Sequence, residues 1–198
     1  MLWVDKHRPK DLEDLTYHDT TTARLKALAS NPETLPHLFF YGPSGSGKKT
    51  RIMCLLKELF GQGAHRLKLD KRTFTTPSKR QVEISMVASN YHIELCPGDA
   101  GIHDRHIIQE VIKEMASNKT IHSSSKTKFK VVVLQDVDRL TKQAQAALRR
   151  TMERYAQTCR LILVCNAAAK VMEPVRSRCL GIRVPSPSHE DVRLYAPR

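Results

Sequence analysis

His37-Leu38-Phe39-Phe40-Tyr41-Gly42-Pro43-Ser44-Gly45-Ser46-Gly47-Lys48-Lys49-Thr50 is the stretch that decides the fold. It begins as an apolar run, turns through three glycines, and ends on two lysines and a threonine. Those last residues open a pattern with Ile52, Leu55, Leu56, Leu59 and Phe60 at helical spacing. A strand, a glycine-rich turn and a helix in that order form a P-loop, whose backbone N–H groups converge on a di- or triphosphate. Glycine permits the turn and the close approach to phosphate oxygens. The helix N-terminus adds unpaired donors, and Lys48 adds a point charge. The competing reading, a Gly/Ser surface loop with chance lysines, leaves the order of elements unaccounted for. The expected cradle is Gly42, Pro43, Ser44, Gly45, Ser46, Gly47 and Lys48, followed by Lys49 and Thr50.

The motif departs from its pattern at one position. Ser or Thr is required directly after the lysine, to place a hydroxyl on Mg²⁺. Lys49 stands there, and the hydroxyl follows at Thr50, about 100° further round the helix. ATP or ADP binding is expected, with a weakened Mg²⁺ contact and no residue assigned as a metal ligand. Hydrolysis at this site is not expected.

The 198 residues suit one sizeable α/β domain, or that plus a fragment, and 40% hydrophobic residues suffice for a core. No apolar run approaches membrane-spanning length, so no membrane span is expected. Met1-Leu2-Trp3-Val4-Asp5 begins nothing like a secretory signal. Five cysteines (Cys54, Cys96, Cys159, Cys165, Cys179) without C-x-x-C spacing read as core thiols of a reducing compartment. The net charge of +13 points to a polyanionic partner. Charge alone leaves nucleic acid, nucleotide, ribosome and anionic membrane open.

Along the chain, Leu2 to Pro9 reads as an extended segment and Thr20 to Ser30 as a helix. Gly61-Gln62-Gly63 stops the P-loop helix. Two alternating runs within Arg66 to Val87, around Thr75-Thr76-Pro77-Ser78, suggest an inserted hairpin. Tyr91 to Leu95 is a strand, Asp104 to Ser117 an amphipathic helix, and Ser117 to Lys128 a polar, basic, mobile loop. Lys130 to Leu134 reads as a buried parallel strand. Thr141 caps a helix with Ala144, Ala147, Leu148, Met152 and Tyr155 on its apolar face. Leu161 to Cys165 and Leu180 to Val184 are further strands. This alternation implies a parallel sheet covered on both faces. Pro185-Ser186-Pro187 reads as a linker, and Ser188-His189-Glu190-Asp191 as the capped start of another helix. The expected organisation is a nucleotide-binding domain over 1–184, with linker and helix start over 185–198.

Several separated stretches together resemble the small subunits of the replication factor C clamp loaders, AAA+ proteins, and most nearly their subunit-3 type. They are Leu2 to Pro9 (with His7 where tyrosine is usual), Gly42 to Thr50 with its doubled lysine, and Tyr91 to Gly101. Ala147-Leu148-Arg149-Arg150-Thr151-Met152-Glu153 and Ser177-Arg178-Cys179 carry the match further. The resemblance runs to Pro187. It implies a three-layer P-loop NTPase fold, a central parallel sheet with helices on both faces. It also implies that a helical lid and collar would follow, so the chain is expected to be truncated before them.

The same resemblance implies roles. Gln135 stands where the metal-binding Asp belongs, and Asp136 where the water-activating Glu belongs. Asp138 matches a structural acid. Asn166 matches a polar sensor near the γ-phosphate, or else caps a turn. Val4 and Arg8 match positions on the adenine side, or else form a structural strap. Arg178 matches an arginine finger acting in trans on a neighbour's ATP, with a routine surface salt bridge as its alternative. Arg105 and Lys142, near two helix starts, match DNA phosphate contacts, or are merely solvated. The face near Met115 matches the side that meets the sliding clamp. The implied function is a nuclear clamp-loader subunit of DNA replication and repair, working with other replication factor C subunits, a sliding clamp and primed DNA. Its own ATPase chemistry is left uncertain. The alternative is a truncated, non-catalytic paralogue acting as a binding or competitor module. A self-contained P-loop kinase is disfavoured, because the sequence offers no substrate-phosphate site or lid.

Overall fold

The computed structural model describes residues 6–75, 81–117 and 129–195. The apolar run at its centre becomes β1 (His37–Tyr41), buried over its first four residues. Unbroken burial of this kind requires a strand covered on both faces. Around it lie β2 (Lys68–Thr75), β3 (Gln81–Ala88), β4 (His92–Leu95), β5 (Lys130–Leu134), β6 (Cys159–Cys165) and β7 (Cys179–Arg183). Their order across one sheet is β2-β3-β4-β5-β6-β1-β7. From β4 to β7 every neighbouring pair is parallel.

The sheet is parallel only over those five strands. β2 and β3 form the expected antiparallel hairpin, in register from Lys68↔Ala88 to Thr75↔Gln81, and β3 joins β4 antiparallel. The turn read at Thr76 to Ser78 lies outside the described residues. Arg72 fastens the hairpin to the helix beside it, pairing with Asp70 at 2.7 Å and Glu114 at 2.5 Å.

The helices are α1 (Asp19–Ser30), α2 (Lys48–Phe60), α3 (Asp104–Ser117), α4 (Lys142–Arg154), α5 (Glu173–Arg176) and α6 (His189–Tyr195). Side chains alternate across a strand, so the central strands feed two cores. Phe39, Val132, Leu134, Leu161 and Leu163 pack with Ile107, Ile108, Val111 and Ile112 of α3 and Leu148 and Met152 of α4. Leu38, Phe40, Val131, Val133, Ile162 and Val164 pack with Leu25 of α1 and with Ile52, Leu55 and Leu56 of α2. The result is a three-layer α/β fold.

Local signals hold where their physics is local. Thr141 Oγ1 accepts from Ala144 N at 3.2 Å and caps α4. Ser188 and Asp191 form a reciprocal box at the start of α6, through Asp191 N to Ser188 Oγ at 3.1 Å and Ser188 N to Asp191 Oδ2 at 2.9 Å. Gly61 ends α2 with φ 70°. Three readings need correction. Tyr155 is the C-cap of α4 rather than part of it. Tyr91 lies outside β4. Lys6 is helical and His7 sits in a turn, so the N-terminal segment is not extended through to Pro9. Proline restrains only the residue before it, and Arg8 alone feels Pro9. The mobile loop read from Ser117 to Lys128 falls, beyond Ser117 itself, outside the described residues.

Candidate functional site

β1 delivers the glycine-rich turn to the C-terminal edge of the sheet, beside the ends of β6 and β7. Val184 N donates to Tyr41 O at 2.9 Å, and this contact sets the need for Gly42. A Cβ there would stand 2.0 Å from Val184 O. Gly47 is constrained on two counts. Its φ is +84°, and a Cβ would lie 2.5 Å from the Tyr17 hydroxyl.

Lys48 folds back over the turn. Its Nζ donates to Gly42 O and Pro43 O, both at 2.7 Å, and to Asn166 Oδ1 at 2.9 Å. Burial pulls its ammonium below the ordinary lysine range, while Cys165, Asp136 and Asp138 draw it the other way. Asn166 follows β6, so the polar residue expected near the γ-phosphate does meet the P-loop lysine. Around this turn opens a cavity of about 630 Å³, whose lining includes Arg8, Tyr17, Gln135, Asp136 and Asp191. Ser44 to Thr50 and Asn166 also line it. The structure therefore gathers Arg8, Lys48, Lys49, Thr50, Asp136 and Asn166. Val4 lies outside the described residues.

The position a magnesium ion would take is built differently. Lys49 Nζ meets Glu94 Oε1 at 2.5 Å, and Gln135 Nε2 donates to the same oxygen at 3.2 Å. Glu94 belongs to β4, and Gln135 follows β5. The register Leu95↔Leu134 brings them together. The donor set does not fit a divalent cation: an ammonium stands at Lys49, an amide at Gln135, and the Glu94 carboxylate they share is already paired. Among the described residues no three His, Cys, Asp or Glu side chains cluster as a metal site.

Asp136 adopts the left-handed conformation, with φ 49°, and its carboxylate stands 3.9 Å from Arg139. Asp138 accepts from Ala167 N at 3.1 Å and so ties the turn after β5 to the turn after Asn166. That is the structural part expected of it.

The remaining candidates lie elsewhere. Arg178 precedes β7, whose first residue Cys179 is level with His37. It therefore stands at the opposite end of the sheet from Gly42. Its Nε donates to Glu153 Oε1 at 2.8 Å, Nη2 is 2.6 Å from that oxygen, and Nη1 donates to Pro174 O at 2.7 Å. These contacts hold the Glu153 carboxyl below its ordinary pKa. Arg105 and Lys142 are exposed residues at the starts of α3 and α4. Asp104 joins those two starts, accepting from Thr141 N at 2.8 Å and Thr141 Oγ1 at 3.0 Å.

Sequence reasoning missed four residues. Glu94 reads locally as one polar residue on an alternating strand. Arg51 reads as a solvent-facing helix residue, yet it is fully buried. It donates to Tyr17 O at 2.7 Å and Thr22 Oγ1 at 3.1 Å, and so straps the N-terminal segment to α2. Gln145 is buried in α4 and holds the chain ahead of α5, accepting from Met172 N at 2.8 Å and donating to Lys170 O at 3.3 Å. His37 is neutral in β1, with Nδ1 accepting from Leu161 N at 3.0 Å and burial lowering its pKa. A polar residue inside an otherwise apolar stripe was the one available signal, at Gln145 and His37.

Comparison with known proteins narrows the family. The sequence model described as "DNA polymerase III, delta subunit" matches residues 17–188. Replication factor C subunit 3 of Mus musculus is 56% identical over 191 residues, which are 96% of this chain and 53% of that protein. The probable replication factor C subunit 3 of Dictyostelium discoideum is 51% identical over 193 residues, 97% of this chain and 55% of that protein. Replication factor C subunit 5 of Oryza sativa is 51% identical over 195 residues, again 97% and 55%. The chain thus spans about half the length of the curated relatives it matches. Among solved structures, the RuvB Holliday junction branch migration motor of Thermotoga maritima superimposes with a TM-score of 0.61 at 16% identity. It covers 96% of this chain and 52% of that one, and this likeness shows the fold.

Proposed function

The chain belongs to the clamp-loader family that joins the DNA polymerase III delta subunit to the replication factor C subunits, and from that premise we propose that it is a nucleotide-binding clamp-loader subunit acting in nuclear DNA replication and repair. In this reading it binds ATP or ADP in the cavity around the P-loop and turns over little of it. Arg178 acts as a finger on a neighbouring subunit's ATP, and Arg105 and Lys142 contact DNA phosphates. The partners are other replication factor C subunits, a sliding clamp and primed DNA.

The observation that carries nucleotide binding is the cradle itself. Gly42 has no room for a Cβ against the Val184 backbone, Gly47 holds a φ of +84°, and Lys48 and Asn166 converge on the turn beside the 630 Å³ cavity. In that cradle Lys48 would leave the Gly42 and Pro43 carbonyls for phosphate oxygens, with Asn166 steadying it. Gln135 is neutral and cannot act as a base. Asp136 is one methylene shorter than the Glu the chemistry favours, and general-base catalysis is sensitive to reach. Little turnover follows.

The test is titration of a fluorescent ADP or ATP analogue, followed by phosphate-release kinetics on the isolated chain. Binding lost in Lys48→Ala, with negligible turnover in the unmutated protein, is the expected result. Turnover at the rate of an intact P-loop ATPase, abolished by Lys48→Ala, would defeat it. A second reading, a non-catalytic module that competes for one subunit or the clamp, is favoured by the neutralised metal position at Lys49, Glu94 and Gln135. Co-purification with the other loader subunits separates the two.

A further inference from the structure

We propose that this site takes its nucleotide as the uncomplexed anion, with the Lys49 ammonium standing in for the divalent ion that P-loop sites ordinarily share with their ligand. The inference rests on the reading of the cavity as a nucleotide site and goes beyond it by naming the ligand's charge state. Three observations carry it. Lys49 lines the cavity next to Lys48, as does Gln135. Its side chain remains 55% exposed although Nζ is held by Glu94 at 2.5 Å, whereas the Glu94 side chain is only 10% exposed. The lysine therefore stays open to solvent while its counter-ion is buried. Gln135 Nε2 shares the same carboxylate oxygen at 3.2 Å, so an amide donor, not an acceptor for metal, closes the set.

These three side chains form one unit. A hydroxyl and a carboxylate would each bring a lone pair to a metal. Here both positions bring N–H donors instead, and both face Glu94. A divalent ion entering beside them would meet an ammonium and an amide hydrogen, with one carboxylate oxygen already shared by two donors. A phosphate oxygen entering at the same place meets a cation that can pivot on a flexible four-carbon stem. Glu94 plays a positioning part: it holds Lys49 at the cavity edge. The site thus needs no metal to hold a phosphate chain, and the loss of the metal-ligand positions is a replacement of one cation by another.

The experiment compares two titrations of the 198-residue chain with a fluorescent ADP analogue, one in millimolar MgCl₂ and one in EDTA. The expected result is a Kd that differs by less than about threefold between them. In Lys49→Met the EDTA titration should weaken by about tenfold or more. Lys49→Ser combined with Gln135→Asp restores the hydroxyl and the carboxylate, and its binding should become magnesium-dependent by about tenfold. A Kd in the unmutated protein that is tenfold or more tighter with magnesium overturns the proposal. So does a Lys49→Met variant that binds in EDTA as tightly as the unmutated chain. If the double variant does not fold, judged by circular dichroism, the first two comparisons decide the matter. Absence of binding in both media would instead defeat the nucleotide-site reading on which the proposal stands.

Discussion

His92 and Glu94 are two residues apart on β4, so they project from the same face of the strand, and each has a consequence for the protein. His92 is fully buried, with Nδ1 2.8 Å from Ser89 Oγ. Burial lowers its pKa from 6.5 to about 4, although Glu94 nearby pulls it upward. Above pH 6.5 the imidazole is neutral in folded and unfolded chains alike and contributes nothing to the difference. As pH falls below 6.5 the unfolded chain takes up the proton first, and folding loses stability until the folded group itself titrates near pH 4. A shift of that size corresponds to about 3 kcal/mol over the window. Denaturant unfolding followed from pH 7 to pH 4 should show this decline, with a flatter slope in His92→Leu. An unchanged slope would assign the acid sensitivity to other groups. At Glu94 the lesson concerns legibility. Gly42 to Thr50 announced the phosphate cradle because its glycines, lysine and helix start are adjacent in sequence. Glu94 could not be found that way, since its meeting with Lys49 and Gln135 depends on β4 lying beside β5. No pattern within either strand states that adjacency.

Elements were legible wherever period and cap agreed, as in α3 and α4. The apolar spacing of Ile107, Ile108, Val111 and Ile112 fixed one, and Thr141 fixed the start of the other. The joint between their starts was not legible, because it is made by a buried carboxylate that meets Thr141 only in the fold. Asp104 is 1% exposed and accepts two bonds from Thr141, while also accepting from Arg105 N at 2.7 Å. Removing it leaves Thr141 N unpaired and α3 without its first-turn acid, so Asp104→Ala should cost about 2 kcal/mol of folding stability. A smaller loss than about 0.5 kcal/mol in urea unfolding would mean that water takes over these bonds. The same joint sets Arg105 and Lys142 each one residue beyond a partner in the bridge. If both contact phosphates, each should contribute roughly 0.9 to the log–log dependence of duplex affinity on salt. Arg105→Ala with Lys142→Ala should lower that slope by about 1.8, with little change in sequence preference. A slope equal to that of the unmutated chain would place the DNA surface on other basic residues.

At the scale of the whole molecule, the parallel sheet separates two jobs. The P-loop sits where β1 ends, and Arg178 sits where β7 begins, with His37↔Cys179 and Tyr41↔Arg183 in register between them. Four residue steps of parallel strand place about 13 Å of sheet between these ends. Arg178 therefore stands away from the P-loop of its own chain, and its guanidinium is held by Glu153 and Pro174 O. Glu153 sits in the last turn of α4 and is also 3.6 Å from Arg149. An arginine is charged at every accessible pH and can fork onto two phosphate oxygens. To do so on a neighbour it must give up Glu153, an exposed pair of the kind that salt and solvent weaken readily. Two variants distinguish the finger from a surface ion pair. Arg178→Ala should leave nucleotide affinity of this chain unchanged and slow DNA-stimulated ATP hydrolysis in a complex reconstituted with the other subunits. Fully engaged fingers are worth about 10³–10⁵ in rate, but intact sites elsewhere in the complex would dilute the loss. Glu153→Gln releases the guanidinium without removing it, so hydrolysis should be kept or raised. A purely structural pair predicts the opposite pattern: both variants loosen the end of α4 alike, and both lower activity together with thermal stability. Equal losses in the two would therefore end the trans-acting assignment. A loss confined to Arg178→Ala, with unfolding midpoints unchanged, would support it.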